Sequence, residues 1–389
     1  MRKNIITGVS LVALSGGVAQ AGGFELQTLD TSMMYADGNQ ASISYATIDA
    51  SIEGYNTGAG LSGVSKKQVV KDQTVVNFGA KFDIGEAISI GLGTYRTGSI
   101  QLDGGNGALG NLAPTGDVDM NTMAFMARYN VNENISFIGG LTQNNLGNGN
   151  VTTLAGSYDI TGENSMGYIA GLSYSIPEIA LRAELTYQPK ANFTTTTAYT
   201  PSAAAVCSAI APLDCANVTT DATTATAYAG AEAVMTTSAS DTTLSLPDRM
   251  AFNFQTGIAE NTLLTASYRK ASWGESQINV AAPVAITTEF SDSEAYSIGV
   301  GRKFSDNLSG SITYSKEEGS SSTSTSLFTV SNGSEAISVG VRYTRDNMNI
   351  SAGVSQRNVG DVTVNSSVGT MQYTGNSVTS MGIKIAFAF

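Results

Sequence analysis

The sequence predicts an all-β protein: a transmembrane antiparallel β-barrel of fourteen strands with a short N-terminal hatch in its lumen. Three observations predict it. Only 13% of the 389 residues are charged, about half the ~25% usual for a soluble domain. Apolar residues alternate with small polar ones at period 2 from about residue 40 onward. No run of about 18 apolar residues follows the N-terminus, which excludes a helical membrane bundle. A chain with too little charge to cover itself and no helical span must hide its apolar surface in alternation, toward lipid.

Residues 1–21 read as a signal peptide. Arg2 and Lys3 give the positive start, Ile5 to Val18 a short apolar core, and Ala19-Gln20-Ala21 the small-residue cleavage rule, with the cut between Ala21 and Gly22. Residues 22–40 fit no strand. Their apolar members Phe24, Leu26, Leu29, Met33, Met34 and Tyr35 are expected to fold into the lumen as a hatch and to contact an apolar ligand tail, since thioethers adapt to irregular shapes.

From residue 41 the strands are expected at 41–53, 72–83, 87–98, 117–130, 134–145, 163–176, 179–195, 241–258, 262–273, 289–304, 308–318, 333–344, 348–359 and 375–389. The last shows the logic. Met381, Ile383, Ile385, Phe387 and Phe389 share one face; Gly382, Lys384, Ala386 and Ala388 share the other. A soluble sandwich also alternates, but here the polar face is small and glycine-rich, and aromatics mark the strand ends as a lipid girdle would. Connections alternate in length. Six short turns (83–86, 132–134, 176–178, 259–261, 305–307, 345–347) oppose seven long segments, the longest at 196–239. Thirteen connections join fourteen strands and put both termini on the short-turn side, the pattern of an outer-membrane barrel. The terminal Phe389 resembles the signal read by the outer-membrane assembly machinery.

The lumen face carries Lys81, Arg128, Arg182, Glu184, Arg249, Arg269, Lys303, Arg342, Arg357 and Lys384, all but Glu184 basic in a chain of net charge −12. Such a lumen can hold a carboxylate head, with Arg128, Arg249, Arg269, Arg342 and Lys384 the chosen candidates. Arg182 and Glu184, two apart on one face, read as a structural pair. Asp117 with Asp119 and Asp292 with Glu294 read as solvated rim acids. Cys207 and Cys215, the only cysteines, are expected to form a disulfide in the longest loop. There is no histidine, which removes Ser-His-Asp and Cys-His catalysis and His-ligated metals. No catalytic residue, metal or cofactor is expected. The acidic balance excludes a nucleic-acid binder.

Four segments resemble the FadL-type outer-membrane transporters of long-chain fatty acids and other hydrophobic compounds. They are Gly23-Phe24-Glu25-Leu26; Gly167 to Tyr174 with Ala183 to Gln188; Leu246-Pro247-Asp248; and Leu263 to Gly274 with Ser272-Trp273-Gly274. The resemblance implies a monomeric, hatch-plugged, fourteen-stranded barrel in the bacterial outer membrane, in contact with lipid and lipopolysaccharide, and a ligand contact at Phe24 and Leu26. The chain departs from the family in its short hatch, with no proline before Pro114. The expected function is passive uptake of a fatty acid-like hydrophobic molecule. The alternative is a general diffusion porin with a water-filled lumen; a purely structural or adhesive barrel is a third reading.

Overall fold

A computed structural model describes residues 27–57, 67–104, 113–280, 286–366 and 369–389. The signal peptide, its Ala21–Gly22 cut, Phe24 and Leu26 lie outside the described residues.

Fourteen strands close a barrel. They are β1 (Gln40–Ser51), β2 (Gln73–Ile84), β3 (Ile88–Asp103), β4 (Thr115–Asn130), β5 (Ile135–Leu146), β6 (Glu163–Ile176), β7 (Leu181–Gln188), β8 (Arg249–Ala259), β9 (Thr262–Ala271), β10 (Ser293–Lys303), β11 (Leu308–Glu317), β12 (Ser334–Arg345), β13 (Met348–Val359) and β14 (Asn376–Ala388). Each pairs antiparallel with its neighbour, and β14 returns to β1, with Gln40 opposite Ala388 and Ser51 opposite Ser377. Closure removes the edges that lipid could not satisfy. Three of the short turns place a residue that tolerates a left-handed backbone there: Gly85 (φ 68°), Asn261 (φ 58°) and Asp346 (φ 52°). At the seam Phe389 donates its N–H to Asn39 O at 3.1 Å, and its ring meets Phe82 edge-on at 5.7 Å.

The outward face is apolar. Phe78, Phe125, Leu141, Leu172, Ile298 and Val339 are among the large side chains exposed on it. Each would gain about 1.5–3 kcal/mol on leaving water, so the solvent of this band is lipid. Tyr129, Tyr174, Tyr343 and Phe387 mark the short-turn end, and Tyr168, Tyr187, Tyr268 and Tyr296 the other.

Two expected strands are shorter than the alternation suggested. Strand 179–195 divides into β7 and a separate strand Ala191–Pro201; strand 241–258 divides into Thr237–Leu246 and β8. The breaks fall at Pro189 and Pro247, which lack the ladder N–H. Asp248 Oδ1 holds the corner, accepting from Tyr187 Oη at 2.6 Å and Lys190 N at 3.0 Å. Beyond the break the two segments pair with each other and rise into a crown over the outer mouth. The segment between them forms helices α1 (Ala203–Ala209) and α2 (Ala222–Met235), with Cys207 and Cys215 joined in a disulfide.

The outer half of the lumen and the crown share one apolar core. Val75, Ile100, Val118 and Met120 of the barrel wall meet Phe193, Tyr199, Leu244, Trp273, Phe290, Phe328 and Tyr373 from the loops. Hydroxyls line the lumen at its lower and middle levels, with Ser136–Ser173, Ser267–Ser297 and Ser338–Ser355 pairs at 2.6–2.9 Å.

Candidate functional site

The hatch segment lies across the lower lumen. Its 3-10 turn, Ser32–Tyr35, buries Met33 and Met34 against Tyr95, Ala124, Met126, Ile138 and Ile169. Glycines make the room. An added Cβ at Gly79 would stand 3.0 Å from Met33 Sδ, one at Gly93 would stand 3.7 Å from Met33 Cε, and one at Gly91 would collide with Met34 Sδ. Leu29 and Tyr35 pack partly buried on the same cluster.

The lumen cations divide by height. Toward the short-turn end, Arg128 and Arg182 stack over the Tyr35 ring at 4.8 and 4.1 Å. Lys384 lies 3.7 Å from Asp30, while Arg269, near the outer end of β9 two residues before the Ala271 that faces Arg249, donates from Nη1 to Thr28 Oγ1 at 3.2 Å. Arg342 reaches Ser351 Oγ at 3.3 Å. Lys303 pairs with Asp306 of the adjoining turn at 2.8 Å. Toward the crown, Arg357 donates to Ser334 Oγ at 2.6 Å, and Arg249 is buried opposite Gln188 and Ala271. So of the five chosen cations the fold gathers Arg342 and Lys384, sets Arg128 and Arg269 on the hatch, and leaves Arg249 apart at the outer end. Arg182 and Glu184 both turn to the hatch: Arg182 to Tyr35, and Glu184 as acceptor from Thr31 Oγ1 and, at 3.2 Å, from Asn253 Nδ2.

Lys81 ties the hatch to the wall. It is 1% exposed, and its Nζ donates to Ala36 O at 2.6 Å and Gly38 O at 3.1 Å while pairing with Asp83 at 2.7 Å. Lys81→Met leaves those oxygens without their donor. It is expected to cost about 1–3 kcal/mol at this corner, read as a lower temperature for the gel shift of the folded barrel in detergent, with the barrel still formed.

The wall itself is interrupted. The ladder between β2 and β3 runs only from Ile84–Ile88 to Gly79–Gly93. Above that pair β2 stays on β1 and β3 stays on β4. Side chains stand in for the missing ladder: Thr94 Oγ1 accepts from Phe78 N at 2.9 Å, and Gln27 Oε1 of the hatch accepts from Arg96 N at 3.1 Å. Further out the two sides rejoin, where Lys71 N donates to Gln101 O and Asp103 N to Val69 O. A bulge at Thr97, between Arg96 and Gly98 in the pairing with β4, bends β3 at this level. A cavity of about 310 Å³ enters here, lined by Val76, Thr94, Tyr95, Asn121, Thr122 and Met123 among others. Val76 and Met123 belong to the lipid face, Tyr95 and Thr122 to the lumen face, so the cavity reaches into the wall. A recess of about 350 Å³ on the crown is polar, lined by Glu289 and serine and threonine hydroxyls, and offers an apolar solute nothing.

The expected rim acids are paired: Asp119 with Arg96 at 3.1 Å, Asp117 with Lys71 at 3.8 Å, and Glu294 with Lys270 at 3.4 Å, while Asp292 Oδ1 accepts from Gly274 N. Sequence reasoning missed the glycine patch and the window. Both left a signal. Gly91 and Gly93 alternate on the lumen face, and the apolar phase flips between Leu92, which points out, and Ile100, which points in.

The geometry is that of a closed fourteen-stranded barrel with an apolar outer belt and a segment packed inside its lumen. Its fold is that of the FadL-type channels. A Pseudomonas aeruginosa FadL homologue superposes with TM-score 0.70 at 13% identity over 92% of each chain. The Pseudomonas putida toluene transporter TodX gives 0.60 at 11% identity over 97% of this chain and 96% of that one. The CymD monoaromatic hydrocarbon channel gives 0.58 at 11% identity over 92% and 90%. No protein-family model matches the sequence, and no curated protein matches it.

Proposed function

We infer that this is a bacterial outer-membrane transporter that takes up a hydrophobic, fatty acid-like molecule passively and releases it sideways into the bilayer. The observation that carries the reading is the gap between β2 and β3, set between an apolar outer lumen and a hatch that blocks the way down. An apolar molecule that partitions into the crown core meets Val75, Ile100 and Met120 on the way inward. The hatch then fills the path below with Met33, Met34 and Tyr35. Exit through the wall keeps the molecule out of water throughout, so each methylene retains its roughly 0.8 kcal/mol of burial. The hatch and its arginine clamps are the apparatus of a plugged channel rather than of a water-filled porin. The structural neighbours, named as transporters or channels for hydrophobic compounds, support the same choice. On this reading Phe24 and Leu26 extend the tail contact of Leu29, Met33 and Met34, and Phe389 marks the barrel for assembly.

Single-channel recording in planar bilayers, with and without oleate, tests it. Low, sporadic conductance that oleate alters is the expected result. Large, steady conductance indifferent to oleate would leave a porin in its place.

A further inference from the structure

The polar recess on the crown is built by three separate loops. Glu289 and Ser291 come from the segment before β10, Ser320, Ser321 and Thr325 from the segment between β11 and β12, and Asn365 from the segment after β13. Residues 320–326 are an unbroken run of serine and threonine, a composition that ordinarily stays solvated and unstructured. Here the run is pinned. Thr323–Ser324 pairs in parallel with Thr363–Val364, and Ser324 Oγ meets Thr329 Oγ1 at 3.0 Å. Phe328 and Val330 anchor the end of the run in the crown core. Ordering so many hydroxyls side by side costs chain entropy, and the burial of those two side chains offsets it.

A fixed corner presents the one carboxylate. Glu289 has a left-handed backbone, φ 51°, a conformation uncommon for a residue with a side chain and one that gathers at binding sites. The Gln277 side chain clamps the next residue on both sides, accepting from Phe290 N at 2.6 Å and donating to Phe290 O at 2.7 Å. The Phe290 ring meets Trp273 edge-on at 5.6 Å, and Thr288 before the corner is buried. Held from both sides, Glu289 stands against the hydroxyls, with Oε2 accepting from Thr325 Oγ1. Its Oε1 and the hydroxyls of Ser291 and Ser320 make no hydrogen bond among the described residues, which leaves them open to a ligand.

The lining sorts ligand classes. No cation lines the recess, so an anionic ligand finds no counter-charge and meets Glu289. A calcium ion takes roughly six to eight oxygens, several of them carboxylate, and the recess offers a single carboxylate. Neighbouring hydroxyls of a sugar ring fit instead. A carboxylate accepts two O–H bonds at once, and each serine or threonine hydroxyl both donates and accepts. The volume, about 350 Å³, lies at the small end of ligand pockets, which run from ~300 to ~1,000 Å³. We propose that this recess is a saccharide site open to the exterior, in which Glu289 accepts from a pair of neighbouring sugar hydroxyls and disfavours uronic acids. The same sugar chemistry is offered by the glycolipid of the outer leaflet and by polysaccharide outside the cell. The site is separate from the transport path and does not depend on it.

The test is saturation-transfer NMR on the full chain, folded into nanodiscs of synthetic phospholipid that carry no sugar. The probes are maltose, cellobiose, the neutral hexose trisaccharide of a lipopolysaccharide outer core, and digalacturonic acid. At least one neutral probe is expected to bind, and digalacturonic acid at least tenfold more weakly. Glu289→Gln is expected to weaken the neutral probe about tenfold, the loss of one charged acceptor. It is also expected to close the gap to digalacturonic acid, which a merely loosened loop would not do. Conductance and its response to oleate are expected to match wild type in that variant. Binding of the core trisaccharide alone assigns the site to the membrane's own glycolipid; binding of maltose or cellobiose assigns it to polysaccharide from outside. Silence from all three neutral probes, or undiminished binding by Glu289→Gln, overturns the proposal. Calcium binding by titration that Glu289→Gln abolishes makes the recess a cation site and overturns it as well.

Discussion

Gly91→Leu is expected to expel the hatch and turn a sporadically conducting protein into a steadily open pore. The argument is steric. Met34 is fully buried, and its sulfur occupies the space that any side chain at Gly91 would take. The wall cannot yield, because Gly91 sits in the β3 ladder opposite Lys81 on one side and Met126 on the other. The hatch must yield instead. Removing a buried methionine side chain costs about 2–5 kcal/mol, so displacing one costs at least as much as Met34→Ala. At about 1.4 kcal/mol per tenfold, the docked state loses a factor of tens or more. Two controls separate this from damage to the barrel. Gly139→Ala, where an added methyl meets nothing within 4 Å, leaves conductance unchanged. Met34→Ala opens the pore in the same direction as Gly91→Leu, through loss of packing rather than overlap. A Gly91→Leu protein that folds, shifts on gels like wild type and stays closed would show that the hatch is not the plug.

The barrel was legible in the sequence because the bilayer writes it there. Lipid on one face and a lumen on the other impose period 2 on every strand, and Ile337, Val339, Val341 and Tyr343 obey it without exception. The six short turns were equally plain from their Gly, Asn, Asp, Glu and Pro residues, three of them placing Gly85, Asn261 or Asp346 in the left-handed region. The crown was not legible. Phe193 and Leu244 alternate as well as any barrel residue, but they alternate against a protein core, and period 2 does not say what the apolar face meets. Pro189 and Pro247 were the signal that the ladder stops. The lumen cations were legible as a set and not as a site. Alternation gives the face of a residue and not its height, so Arg249 near the crown and Lys384 near the short turns looked equivalent. Their partners come from a segment without periodicity: Thr28, Asp30 and Tyr35 reach them, and Thr31 reaches Glu184, only after the hatch is folded.

Deleting Thr97 is expected to close the wall and abolish delivery of hydrophobic substrate. Thr97 is the extra residue of the bulge: Arg96 stands opposite Asn121 and Gly98 opposite Met120. Without it those two pairs become consecutive, the alternation of β3 runs unbroken from Ile88 to Leu102, and the strand loses the bend that draws it away from β2. The ladder then continues past Gly79–Gly93, and the donors Phe78 N and Arg96 N, now served by Thr94 and Gln27, gain backbone acceptors. Each new bond contributes about 0.5–1.5 kcal/mol net, which offsets the lost contact between Thr97 and Thr122. The deletion is therefore expected to leave thermal stability unchanged or raised. Uptake of labelled oleate by cells carrying it should fall to the level of cells without the protein. Loss of transport with no loss of stability is the mark of a feature kept for function at the expense of the fold. Unchanged uptake in a stable, window-closed barrel would redirect the path past the hatch and into the periplasm, and would sink the sideways exit.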